Sequence, residues 1–227
     1  MKKPTLLFSL ISLSILVVGC GKAGGTASVE NASSKEAKGT SASTETPDNL
    51  NLATARDKSF TMELPEGWLV CDAEDANYKA EIKKLKADDS PLVMNVESIA
   101  SSTTANFGAI DISASTMDDN FAANINANVQ NMGSSNISEA ELKEAVNAIS
   151  QMLFKDQAES VEIIEFNGRK SGKYSGIADM GQAKVHLTGY SVPVGDKVYT
   201  FTFSCGSEES AKYKPIFDKM AKSIKIN

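Results

Sequence analysis

The sequence predicts an α+β fold built mainly from antiparallel hairpins. Three observations point there. Asn167-Gly168 separates two strand-like runs and is the strongest short hairpin signal. Tyr199, Phe201 and Phe203 alternate with Val198, Thr200 and Thr202, so one strand has two distinct faces. Ser138 with Glu141 forms a capping box ahead of the stripe Leu142, Val146, Ile149 and Leu153, which marks an amphipathic helix.

The other elements follow in chain order. Ser59 to Leu64 alternates polar and apolar and reads as a half-buried strand. Pro65-Glu66-Gly67 is turn chemistry, and Trp68 to Cys71 is a second short strand. Tyr78 to Lys86 fits a helix through Tyr78, Ile82 and Leu85, and a strand through Tyr78, Ala80 and Ile82. The turn Asp88-Asp89-Ser90-Pro91 tips that reading towards a hairpin, with Pro91 to Ile99 as its next strand. Met117, Phe121, Ile125, Val129 and Met132 recur at helical steps, with Ser115 or Thr116 as cap, Asp118 and Asp119 at the positive end and Gly133 at the exit. Beyond the capped helix, Val161 to Phe166 pairs with Arg169 to Ile177. Lys184 to Val192 and Lys197 to Ser204 flank Pro193-Val194-Gly195-Asp196 as a further hairpin. A terminal amphipathic helix carries Phe217 and Met220, and Pro215 places its start at that residue.

The N-terminus carries an address. Lys2 and Lys3 precede a 13-residue apolar run, Leu6 to Val18, and Gly19-Cys20 closes it. As a helix that run rises about 20 Å, short of a ~30 Å hydrocarbon core, so it reads as a cleaved leader and not as a span. Val17-Val18-Gly19-Cys20 resembles a bacterial lipobox, with Val17 where Leu is usual. The resemblance implies cleavage before Cys20 and a diacylglycerol on its thiol, with two acyl chains such as palmitate. The mature chain would then have 208 residues on the outer side of a membrane. In a double-membrane host, Gly21 stands where an inner-membrane retention signal would have aspartate, which directs the protein outward.

Residues 20–57 read as the lipidated Cys and a tether, and residues 58–227 as one globular domain. From 21 to 57, 21 of 37 residues are Ala, Gly, Ser or Thr, and only Val29, Leu50 and Leu52 are large aliphatics. Such a segment buries too little to offset its ordering entropy. It would hold the domain on the order of 30–35 Å from the lipid.

The formal charge is −6, and losing Lys2 and Lys3 takes it to −8. An acidic chain argues against nucleic-acid binding and against a polybasic membrane footprint. With Cys20 modified, Cys71 and Cys205 remain of three cysteines. Outside the cytoplasm they could pair, or sit as two small buried thiols.

The opening Phe60-Thr61-Met62-Glu63-Leu64-Pro65-Glu66-Gly67-Trp68 resembles the PsbP-like family. So does the closing block from Asn167-Gly168-Arg169 through Tyr199 to Cys205, Phe217 and Ser223 to Ile226. The resemblance implies an α/β/α sandwich, a twisted, mainly antiparallel sheet with helices on both faces. It brings no shared catalytic site.

The chemistry-bearing residues are sparse. His186 is the one histidine and lies in a predicted strand, where a solvent-facing or hydrogen-bonded role is the expectation. The acidic groups Asp72, Glu74 and Asp75, Asp88 and Asp89, Asp118 and Asp119, and Glu208 and Glu209 sit at turns or helix starts. None has calcium-loop spacing. Gly172, Gly176 and Gly181 do not lead a strand into a helix N-terminus, so no phosphate cradle is expected. Lys83 and Lys84 read as solvated surface. The expectation is a non-enzymatic, lipid-anchored binding or assembly module without cofactor or metal. Its partners would be the membrane, through Cys20, and an envelope protein. A small-ligand or ion-binding module using a cleft between sheet and helices is the alternative, and an enzyme comes a distant third.

Overall fold

The computed structural model describes residues 50–102, 104–113, 121–133, 137–181 and 183–227. The leader, Cys20, the tether up to residue 49, and Ser115 to Asp119 lie outside them.

Among the described residues, two antiparallel sheets make the frame. The larger has seven strands in the order β3 (Trp68–Val70), β4 (Phe107–Asp111), β5 (Asn124–Asn131), β9 (Lys197–Gly206), β8 (Lys184–Val194), β7 (Arg169–Asp179) and β6 (Ala158–Phe166). In the smaller, β2 (Phe60–Pro65) lies between β1 (Leu50–Thr54) and β10 (Lys225–Ile226). Helices α1 (Ala76–Ala87), α2 (Leu92–Ser101) and α3 (Glu139–Phe154) cover one face of the large sheet. On the other face lie the small sheet and α4 (Ser210–Ser223). The predicted class, helices on both faces of a mainly antiparallel sheet, therefore holds.

Alternation explains how the sheet serves two layers. Phe201, Phe203 and Cys205 of β9 point to α4 and the small sheet, where the Phe203 and Phe217 rings meet at 5.3 Å, tilted by 42°. Gly172 and Gly176 of β7 point the other way and let α3 lie close, since a Cβ there would collide with Val146 and Phe154. Asn167 and Gly168 both adopt positive φ, 51° and 76°, as the two-residue hairpin turn requires. The Ser138–Glu141 capping box forms as predicted, with both reciprocal hydrogen bonds present.

Five expectations are corrected. The domain starts earlier than residue 58: β1 pairs Leu50–Thr54 along β2, inside the stretch assigned to the tether. Tyr78 to Lys86 is helix α1 and not a hairpin. Asp75 caps it through the Tyr78 N–H at 2.9 Å, and Lys84 and Lys86 suit its negative end. Pro91 to Ile99 is helix α2, whose buried Leu92, Val96, Ile99 and Ala100 share one helical face. The predicted helix through Phe121, Ile125 and Val129 is strand β5 from Asn124 onward, with Phe121 ahead of it, and β4 carried no strand prediction at all. The last helix begins at Ser210, after a 3-10 turn at Ser207–Glu209. Pro215 sits inside it on the exposed side, where water can satisfy the Ala211 carbonyl that lacks its usual N–H donor.

Candidate functional site

The residues nominated from sequence are placed apart. His186 lies on β8 and its Nε2 is 2.9 Å from Oε2 of Glu159. Glu159 reaches it from a bulge in β6 between Ala158 and Ser160. The imidazole is buried and hydrogen-bonded, and no serine or cysteine nucleophile bonds to it among the described residues. The acidic groups act locally. Asp72 accepts from the Glu74 N–H and lies 3.8 Å from Arg56, Asp75 caps α1, and Asp88 closes it. Among the described residues, no group of three or more His, Cys, Asp and Glu could hold a metal ion.

Cys71 and Cys205 are both buried thiols in separate hydrophobic clusters. Burial pushes the Cys71 thiol up to about 12, against a smaller lowering by Arg56. At pH 8 only about one Cys71 in ten thousand would then be thiolate, the reactive form. Maleimide is expected to leave both cysteines unlabelled in the native chain and to modify both in guanidinium. Rapid native labelling of either would contradict this packing.

Sequence reasoning missed two buried polar arrangements. In the first, Tyr213 of α4 donates to Oδ2 of Asp111 at 2.9 Å, and the second carboxylate oxygen accepts the Ser113 N–H at 2.9 Å. Lys212 Nζ donates to Glu209 at 3.3 Å and to the Tyr213 hydroxyl at 3.4 Å. Burial first, and then Asp111, drive the Tyr213 hydroxyl far above its ordinary range. This network ties the start of α4 to the end of β4.

The second is a strip across the middle of the large sheet, on the face that carries α1, α2 and α3. Register places Asn124 opposite Ser204, Asn126 opposite Thr202, and Asn128 opposite Thr200. Ser191 of β8 lies beside Thr200, and Gly189 beside Thr202. Helix α2 packs over β4, with Ile99 above Gly108, and α3 packs over β6 and β7. The strip lies between these flanks. It runs from buried Asn124 and Ser204 to half-exposed Asn128 and Thr200, about 13 Å at the usual rise per residue. Asn124 donates to the Ala122 carbonyl at 3.0 Å and accepts from Ser204 at 3.5 Å. Tyr174 lies across Gly189, its hydroxyl buried there. Burial pushes that hydroxyl up to about 12, tempered by the nearby Thr202 hydroxyl. Neither hydroxyl makes a hydrogen bond of ordinary geometry. The available signal was the strict alternation Asn-Ile-Asn-Ala-Asn-Val-Gln-Asn from 124 to 131.

No protein-family model matches the sequence, and no curated protein matches it. Solved structures do. The cyanobacterial PsbP protein CyanoP from Synechocystis sp. PCC 6803 aligns with a TM-score of 0.50 at 12% identity, covering 83% of this chain and 98% of that one. LpqN of Mycobacterium tuberculosis, described as involved in cell envelope biogenesis, aligns at 0.46 and 11% identity, covering 79% and 91%. The likeness to CyanoP supports the PsbP-like fold predicted from the sequence.

Proposed function

We propose that this chain is a lipid-anchored, extracytoplasmic, non-enzymatic module that binds an envelope protein. The observation that carries the reading is the lipobox-like Val17-Val18-Gly19-Cys20 followed by a small-residue tract. That layout fits a domain that is to be fixed at a surface and to reach outward from it. The fold is compatible with it. His186 bonds to Glu159, Asp75 caps a helix and Asp111 accepts from Tyr213, which supports a structural role for these three side chains. No helix among the described residues is long and apolar enough to cross a membrane, so attachment would fall to Cys20.

The test is crosslinking of the tagged full-length chain in intact membranes, with untagged chain as competitor. One envelope protein is expected to crosslink reproducibly and to be displaced by the competitor. If no protein is displaced, while a small-molecule extract raises the melting temperature by mass action, the protein-partner reading fails and a ligand-binding module replaces it.

A further inference from the structure

Resting on the protein-partner reading above, we propose that the basic surface where α4 runs into β10 docks an acidic segment of that partner. Charge is sorted sharply along this chain. Residues 50–209 carry 13 lysines and arginines against 24 aspartates and glutamates, whereas residues 210–227 carry five lysines and one aspartate. A basic stretch in an acidic chain is a distinct electrostatic feature. Two of its lysines are engaged. Lys212 bonds to Glu209 and lies over the Tyr213 ring, and Lys219 also has a partner. Lys214, Lys222 and Lys225 are exposed, and among the described residues none of their side chains forms an ion pair or a hydrogen bond.

The fold adds two cations from distant parts of the chain. Asn227 donates its backbone N–H to the Ser59 carbonyl at 2.9 Å and its side-chain amide to the Lys58 carbonyl at 2.7 Å, which brings the turn before β2 to this end. Asn167, in the turn between β6 and β7, donates to the Ile224 carbonyl at 2.7 Å and to the Ala221 carbonyl at 3.4 Å, which brings Arg169 there. Lys58 and Arg169 are exposed, and neither side chain forms an ion pair with a described residue. Four cations, Lys58, Arg169, Lys222 and Lys225, are thus gathered around the C-terminal end of α4 by backbone and asparagine hydrogen bonds, without carboxylates. Three acidic residues neighbour them. Asp57 is bonded to Ser59 and Asn106, Glu63 lies two residues from Thr61, the partner of Lys225, and Asp218 lies one turn before Lys222.

Helix energetics do not account for the cluster. A cation in the last turn of a helix complements its dipole, which accounts for Lys222. Lys58, Arg169 and Lys225 lie on no helix, and like charges gathered without counter-charges repel one another. The cluster therefore opposes folding slightly and becomes favourable only against an anion. Its backbone is already pinned, so little ordering is lost on binding. The surroundings favour a protein segment over a bilayer. A flat anionic leaflet extends past the four cations to Glu63 and Asp218 beside them and to the acidic remainder of the chain. A narrow acidic segment meets the cations alone, because exposed charges beyond a Debye length of about 8 Å are largely screened.

The experiment is amide NMR of the full chain in phosphatidylcholine nanodiscs, titrated with a short peptide of alternating glutamate and glycine. The peptide is expected to bind at about 0.1–1 mM in low salt, to shift the amides of 58, 169 and 222–227, and to weaken as salt is added. The same peptide with glutamine for glutamate should not bind. The combined variant Lys58→Gln, Arg169→Gln, Lys222→Gln and Lys225→Gln is expected to bind about tenfold more weakly, with its melting temperature unchanged or raised. The control Lys83→Gln, Lys143→Gln, Lys155→Gln and Lys184→Gln makes the same change in net charge elsewhere and should bind like the parent. In the membrane crosslinking described above, the control should capture the same envelope protein as the parent, and the first variant should not. Capture of that protein by the first variant, or equal peptide binding by the two variants, overturns the docking surface and leaves the protein-partner reading standing. Capture of no protein by any of the chains overturns that reading and the docking surface with it. Shifts at 222–227 on adding phosphatidylglycerol to the disc, or dimers that depend on the four cations, with no shift from the peptide, would give the surface to lipid or to a second copy and overturn the proposal.

Discussion

Phe60→Ala is expected to lower the free energy of unfolding by about 3–5 kcal/mol, the range for truncating a buried aromatic side chain. Phe60 is fully buried on β2, the central strand of the small sheet. Its ring meets Phe201 at 5.0 Å and 85°, Phe107 at 5.6 Å and 67°, and Tyr199 at 6.5 Å and 84°. Phe107 belongs to β4, and the other two to β9. The ring thus plugs the small sheet into the large one, through edge-on contacts that each add to the area term. The neighbours are anchored in a seven-stranded sheet and cannot collapse into the gap, which places the cost high in its range. A domain of this size has a total stability of about 5–15 kcal/mol, so the loss is a large share. Urea titration should show a lower midpoint with an unchanged slope. Amide exchange should rise first in β1 and β10, which pair only with β2. A loss below about 1 kcal/mol would mean that the small sheet does not dock as described.

Phe60 and its β9 partners lie in segments that the sequence showed well, and the helix and strand readings that were exchanged elsewhere share one cause. A spacing of four is a multiple of the strand period and also close to the helix period. Phe121, Ile125 and Val129 are spaced by four, and so are Leu92 and Val96. The deciding residue is the one between. Ala127 sits midway in β5 and is fully buried, so the period is two and the segment is a strand. Met94 sits midway in α2 and is 61% exposed, so the period is 3.6 and the segment is a helix. Fours alone give the wrong answer in both directions. Strand β4 was invisible for another reason. All five of its residues are buried, because α2 lies on one side and the small sheet's layer on the other, and alternation vanishes when both faces are covered. The hairpins of the C-terminal half were legible because turn chemistry and alternation agree there. Of the sites, the hydrogen-bonded strand role of His186 could be anticipated from its strand position. The Asp111–Tyr213 bond joins residues 102 apart, and no local pattern encodes that. The strip on β5 was written in its alternating asparagines, but the helix reading of the same segment concealed it.

Cys20→Ala is expected to have the largest effect on where the protein is found. The parent should fractionate with membranes at its mature size. The variant should either appear in the soluble fraction or persist as uncleaved precursor, with the lipidated species absent by mass spectrometry. The size of the change follows from the anchor's physics. One acyl chain holds a protein with an association constant on the order of 10⁴ M⁻¹, at about 0.8 kcal/mol per buried methylene, and durable attachment needs a second chain. Both chains depend on Cys20, so replacing it removes the whole anchor in one step. The rest of the molecule offers little to compensate. The mature chain would carry a formal charge of −8, which an anionic leaflet repels. Among the described residues, the large exposed hydrophobics, Leu52, Met94 and Met152, sit on three different elements, β1, α2 and α3, and do not make an insertion face by themselves. High salt gives the control that separates lipid from charge. A lipid-held parent stays on membranes through a salt wash and leaves with detergent, whereas a protein held by a charged partner leaves with salt. Retention of the Cys20→Ala variant at mature size through the same wash would overturn the lipid assignment, and attachment would then fall to the partner protein.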